Sequence, residues 1–385
     1  MSPKAIIFIT VFIDLLGFGI IIPLMPFYAE HFGASALAVG LLSTSFSLMQ
    51  FLFAPFWGRL SDRIGRRPVV LIGLFGSFVS YLLFGLANSL VLLFVARICA
   101  GIAGANIATA QAYMADITAP EDRAKGMGLV GAAFGLGFIF GPAIGGFLSQ
   151  WGYQAPSFFA SALSLANFAA AWFVLPESRH GNRTATRRVS RIDAFKTALT
   201  RPHLPQLLLI YFLVIAAFSS FEATFALFSE SRFAYTATTI GYVFAFVGVI
   251  LSIVQGTLVG RVVRAIGERR LVPVAIAILA VGLALIPAAR NIGMLLLACG
   301  LLAVGMGFNS PSITALISKT SGAGEQGGTL GISQSIASLA RIIGPAAGGF
   351  LYDRFGVVTP YVAASSCMFI AFLLSVAALR VQTRS

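Results

Sequence analysis

The feature that most constrains this chain is a succession of apolar runs, each long enough to cross a bilayer. A helix needs about 20 predominantly apolar residues to span the hydrocarbon. Twelve such runs follow one another, six at roughly 5–29, 38–60, 69–87, 90–115, 126–149 and 156–175 and six at roughly 205–229, 237–260, 271–289, 292–317, 328–351 and 357–379. Only 10% of the 385 residues are charged and 58% are hydrophobic. A soluble domain carries about a quarter charged residues, so a disordered chain, a disulfide scaffold and an ordinary soluble enzyme are all excluded. Cys99, Cys299 and Cys367 are scattered through apolar runs and read as small core residues. The first run is long and lacks a small-residue cleavage site, so it reads as a span rather than a signal peptide. The expected fold class is an all-α membrane protein of twelve transmembrane helices in two six-helix bundles.

Positive charge orients it. With both termini cytoplasmic, 21 of the 26 Lys and Arg residues lie on the inner side. Arg232, Arg290 and Arg354 are the outer three, and Arg97 and Arg341 fall inside spans. Such a bias sets topology. It also accounts for the net charge of +13 without a nucleic-acid partner, because anionic lipid supplies the counter-charge. The segment 176–204, rich in Pro, Arg, Ser and Thr, reads as a basic cytoplasmic linker between an N-terminal bundle (1–175) and a C-terminal bundle (205–385).

The two halves repeat at a shift of 203 residues. Gly141-Pro142-Ala143-Ile144-Gly145-Gly146-Phe147-Leu148 returns as Gly344-Pro345-Ala346-Ala347-Gly348-Gly349-Phe350-Leu351, seven identities in eight positions. Gly104 meets Gly307 and Asn106 meets Asn309 at the same shift. Paired six-helix halves are the plan of transporters that rock about a midplane site.

Several motifs carry chemistry. Gly58-Arg-Leu-Ser-Asp62-Arg63-Ile-Gly65-Arg66-Arg67-Pro68 fills the loop between the second and third spans. There Gly58 is expected to admit a close helix, Pro68 to open the next helix, and Asp62 to cap or pair among the arginines. An echo runs from Gly260 to Arg270. In the fifth span Gly137, Gly141 and Gly145 recur every four residues on one face, and Pro142 removes a helical hydrogen bond. Static packing and a hinge are the two readings of that face, and its recurrence at Gly344-Pro345 favours the hinge.

With these motifs in hand, the chain resembles the major facilitator superfamily, and within it the drug:proton antiporters of the tetracycline-efflux-like branch. The likeness rests on Asp14-Leu-Leu-Gly17-Phe-Gly19 through Pro26, the Gly58–Pro68 loop, Arg97-Ile-Cys-Ala-Gly101-Ile-Ala-Gly104, Ala115-Asp116 through Arg123, and Gly137 through Gly146. The resemblance implies that Asp62, Arg66, Arg67 and Asp116 form an inner-side charge cluster that breaks when the protein opens inward, with Arg63 of the same loop among the gating residues. It implies too that the fifth-span motif seals the substrate path where the halves meet, and that the protein resides in a bacterial inner membrane. The branch carries further acids in the third and ninth spans, where Ser80 and Leu279 stand here. That departure argues against a cationic metal–tetracycline chelate as substrate.

Ionisable residues inside spans are functional candidates by default. Asp14, Arg97 and Glu222 are the candidates for proton coupling. Asp14, Glu222 and Arg341, with the amides Gln50, Asn106, Gln111, Asn309 and Gln334, are the candidates for substrate binding, beside Phe46 and Phe134. Each has a structural alternative: Asp14 as a helix-bonded acid, Arg97 as a tether, and Glu222 as an outer-edge carboxylate with no partner in its own neighbourhood. His31, His180 and His203 have no metal spacing and no nucleophile motif is present, so neither cofactor nor metal is expected. The favoured expectation is a monomeric, proton-coupled exporter of amphiphilic small molecules working by alternating access. A metabolite importer on the same fold is the alternative, ahead of a transport-dead sensor.

Overall fold

The computed structural model describes residues 3–118, 123–178, 201, 203–320 and 326–380. Every predicted run is helical. Among the described residues, nine helices are long and apolar enough to cross a membrane by length and composition, and a bent pair makes a tenth. Glu268–Leu285 and Gln326–Phe355 coincide with the ninth and eleventh predicted spans. The first begins with three charges and the second is rich in Gly and Ser, which lowers their mean hydropathy. Most of the 176–204 linker lies outside the described residues.

Three spans are interrupted. The first consists of Pro3–Ile21 and Met25–His31, bent by 44° at a break containing Pro23, whose missing N–H cannot continue the ladder. The fourth breaks between Leu90–Gly104 and Ile107–Asp116 with no proline at the break. The eighth carries a π-helical turn, Val254–Leu258, between Ala237–Ile253 and Val259–Ile266.

Packing separates two compact units, Met1–Asn182 with Ala226–Gly248, and Arg183–Phe225 with Val249–Ser385. The first unit thus takes in the end of the seventh span and the start of the eighth, which packs on the fifth. A Cβ on Gly146 would lie 2.9 Å from the Gly241 Cα, and one on Gly248 2.7 Å from the Phe138 carbonyl oxygen. In the first unit Ile7, Val11, Val70, Leu74, Tyr113 and Met114 form a buried core. Large apolar side chains such as Leu52, Val91 and Phe173 face outward, the pattern of a lipid-facing surface.

Candidate functional site

Asp14 lies near the middle of the first span, half-buried among apolar side chains. Its Oδ1 accepts a hydrogen bond from Ser77 Oγ at 2.8 Å, one turn before Tyr81 on the third span. Tyr81 lies within electrostatic reach of both Asp14 and Arg97, and its ring packs over Gly17, where a Cβ would come 2.9 Å from the ring. Arg97 is only 6% exposed, with its guanidinium 4.5 Å from the centroid of the Phe46 ring. Phe46 in turn stacks on Phe18 at 5.2 Å. A cation over an aromatic face is stabilised where water is scarce. The structure therefore brings together Asp14, Arg97 and Phe46, and adds Ser77 and Tyr81, which the sequence reading did not single out. Phe134 packs into the apolar core instead of joining them.

In the other unit Glu222 does have a counterpart. Arg341, from the eleventh span, acts on it electrostatically and also reaches Tyr211. Both are half-buried, and a cation within reach of an acid there reduces the cost of both, provided that the pair stays together.

The loop after the second span is built around Arg66. Its Nη1 lies 3.0 Å from Asp62 and its Nε 3.2 Å from Asp116, while Ser61 Oγ accepts from Nη1. The expected pairing of Asp62 is thus present, and Asp116 closes the cluster from the end of the fourth span. Arg67 turns away, donating to the Trp172 carbonyl with its guanidinium 5.9 Å from that indole, and Arg63 is exposed. Capping falls to another residue. Gly65 precedes the third span at φ +103°, a conformation that favours glycine, and has no side chain to offer the orphan N–H groups. Glu177 supplies its carboxylate, accepting from Arg66 N at 2.9 Å and Arg67 N at 3.2 Å. Gly58 does not serve as expected. Among the described residues of its unit, nothing beyond its own helix lies within 4 Å of the position its Cβ would take, and the close contact is made by Trp57, whose Nε1 donates to the Ile102 carbonyl at 2.7 Å.

The fifth-span glycines have two faces. Cβ atoms on Gly137, Gly141 and Gly145 would meet Leu15, Gly19 and Ile20 of the first span at 3.0 Å or less, so these three seat the fifth helix on the first. The neighbouring face, with the Pro142 carbonyl and Gly146, meets Gly241 of the eighth span. The face of the three glycines is thus occupied by the first span, and the adjacent face of the same motif is the one that approaches the eighth. The eleventh span repeats the first arrangement, since Cβ atoms on Gly344 and Gly348 would strike Ala216 and Ser220 of the seventh. Pro142 and Pro345 both lie inside continuous helices.

The amides divide. Gln50 Nε2 donates to the Gly104 carbonyl at 3.2 Å and Asn106 Nδ2 to the Val70 carbonyl at 3.1 Å. Asn309 is fully buried with no protein partner for either amide atom, Gln111 is half-buried and Gln334 is exposed. Ser80 bonds back to the Gly76 carbonyl and Leu279 is fully buried. Among the described residues no group of three or more His, Cys, Asp or Glu side chains could hold a metal.

Comparison with known proteins places this arrangement. The family model for the Major Facilitator Superfamily matches residues 7–265 and 250–385. The tetracycline resistance protein, class E, of Escherichia coli is 35% identical over 356 residues, covering 90% of this chain and 86% of that protein. Multidrug resistance protein 2 of Bacillus subtilis (strain 168) is 33% identical over 351 residues, covering 89% and 87%. The crystal structure of the human organic anion transporter MFSD10 (TETRAN) superposes with a TM-score of 0.73 at 26% identity, covering 97% of this chain and all of that one. The chain belongs to the Major Facilitator Superfamily of membrane transporters, in the branch of the tetracycline and multidrug resistance proteins.

Proposed function

We propose that this transporter exchanges protons for amphiphilic small molecules and moves them out of the cell by alternating access. The observation that carries the reading is the Asp14 carboxyl, bonded to Ser77 within a span and within electrostatic reach of Tyr81, which links it to Arg97. A charge there is costly and a neutral carboxyl is not, so gain or loss of one proton tips the balance between two packings of the surrounding helices. Glu222, facing Arg341, is the second acid that protonation uncouples from its partner. The Asp62–Arg66–Asp116 cluster then acts as the cytoplasmic latch, holding the second, third and fourth spans together until the protein opens inward.

The relatives named for tetracycline and multidrug resistance support outward movement. Substrate class follows from what lines the spans. Ser80 is bonded to its own helix and Leu279 is apolar, so two acids fewer face a substrate, which suits a weakly cationic or neutral amphiphile. Both termini are cytoplasmic, the membrane is the bacterial inner membrane, and one chain suffices for transport.

Proteoliposomes with an imposed pH gradient test the reading, using a panel of fluorescent amphiphiles that includes tetracycline. The wild type accumulates its substrate only with the gradient, Asp14→Asn loses accumulation at least tenfold, and Glu222→Gln weakens it. Uptake indifferent to the gradient, or unchanged in both variants, removes proton coupling.

A further inference from the structure

A cavity beside Asp14 holds one polar atom that the helix packing leaves unexplained. Asn106 sits at the break in the fourth span and is only 9% exposed. Its Nδ2 donates to the Val70 carbonyl, and because a carbonyl only accepts, this bond fixes which way the amide faces. Oδ1 points the other way and has no hydrogen-bond partner among the described residues. Buried polar atoms are almost always hydrogen-bonded, and where protein supplies no partner, ordered water does. Asn106 and Asp14 line the same small cavity, with Thr10 and Gly73 and otherwise apolar side chains, and it has room for about one water. Gly73 is matched to the amide, since a Cβ there would lie 2.1 Å from Asn106 Nδ2.

We propose that this cavity is a single-water site, in which Asn106 positions one water against the Asp14 carboxyl and thereby sets the pH at which Asp14 takes up its proton. With Asp14 ionised, the water donates one hydrogen to the carboxylate and the other to Asn106 Oδ1. With Asp14 protonated, the carboxyl donates to the water oxygen while the water still donates to Asn106. Ser77 Oγ holds the other side of the carboxyl throughout. Tyr81 on the third span acts electrostatically on Asp14 and, in turn, on Arg97 of the fourth. The fifth and sixth spans bring no charge to it, having none between 126 and 148 or between 155 and 174. Asn167 of the sixth span is engaged with the Thr10 carbonyl at 3.0 Å.

The inference deepens the proton-coupling reading, and infrared difference titration of the purified full-length protein tests it apart from transport. The carbonyl band of Asp14 is identified by its loss in Asp14→Asn, and exchange into H₂¹⁸O marks the water band. In the wild type an ¹⁸O-sensitive water band changes with Asp14 ionisation. Asn106→Leu removes that band and moves the carboxyl midpoint up by about one pH unit, the size expected for losing one hydrogen bond to a charge. Gly73→Ala, whose new methyl displaces the amide, does the same with Asn106 still in the chain. Ser77→Ala moves the midpoint but keeps the water band. A wild type without such a band overturns the proposal with no variant needed. So does a midpoint unchanged in both Asn106→Leu and Gly73→Ala, or one that moves with Na⁺ at constant ionic strength. Substrate uptake that ignores a pH gradient would instead remove the coupling and leave this titration standing.

Discussion

Glu177 shows how one carboxylate organises a loop that its own sequence neighbourhood does not explain. Its two oxygens satisfy the first N–H groups of the third span, where Gly65 has nothing to offer, and its charge faces the positive end of that helix. Glu177→Ala should cost about 1 kcal/mol, the usual worth of an N-cap. It should lower the thermal midpoint of the solubilised protein by a few degrees, with Glu177→Gln recovering part of the loss, and a midpoint unchanged in Glu177→Ala would deny the cap its role. This carboxylate was not legible in the sequence because it lies 111 residues from the N–H it caps. Asp14 and Arg97 were legible, since a charge inside an apolar run is rare enough to mark itself. Ser77 and Tyr81 are ordinary residues in a membrane helix. Only the seating of the third span against the first makes them part of the site. Glu222 lacked a visible partner for the same reason: Arg341 comes from another span.

Between residue and molecule stands the helix pair, and here spacing in the sequence was informative while the choice of neighbour was not. A glycine every four residues announces a face on which a backbone approaches closely. It does not say whose backbone, and the first span proved to be the occupant. The fifth span contains its own control. A Cβ on Gly141 would lie 2.7 Å from the Gly19 Cα, whereas one on Gly131 would meet nothing beyond its own helix within 4 Å among the described residues. Gly141→Ala should therefore destabilise by about 1–3 kcal/mol, because two backbones must separate. Gly131→Ala should be neutral or stabilise by up to about 1 kcal/mol, since alanine favours the helix and no neighbour objects. Gly348→Ala and Gly331→Ala form the corresponding pair in the eleventh span, crowded by Ser220 and unobstructed. Thermal unfolding in one detergent decides the matter, and equal effects within either pair would refute the packing argument. Element breaks were legible in the same uneven way. Pro23 marks the bend in the first span, but the break at Asn106 has no proline, and the side chain that reaches the Val70 carbonyl there is an ordinary amide.

At the scale of the whole chain the repeat is written in the backbone as well as in the sequence. Glycines at positive φ precede the third and ninth spans at Gly65 and Gly267, and the sixth and twelfth at Gly152 and Gly356. The fourth and tenth open with equivalent caps, Ser89 accepting from Leu92 N and Asn291 from Met294 N. With six spans in each half, an even number, equivalent loops of the two halves must emerge on the same side of the membrane. Two questions are then separable: whether the halves repeat in parallel, and which side is the cytoplasm. Single cysteines at the exposed pairs Asn88 with Arg290, and Arg63 with Arg264, answer both once Cys99, Cys299 and Cys367 are replaced by alanine. Whole cells treated with a membrane-impermeant maleimide should label Asn88→Cys and Arg290→Cys, and should label Arg63→Cys and Arg264→Cys only after permeabilisation. Exchange of the two patterns would reverse the orientation argued from charge while leaving the repeat intact. Labelling of the two members of one pair from opposite faces would break the parallel repeat itself, and with it the reason for expecting two bundles that rock about a common site.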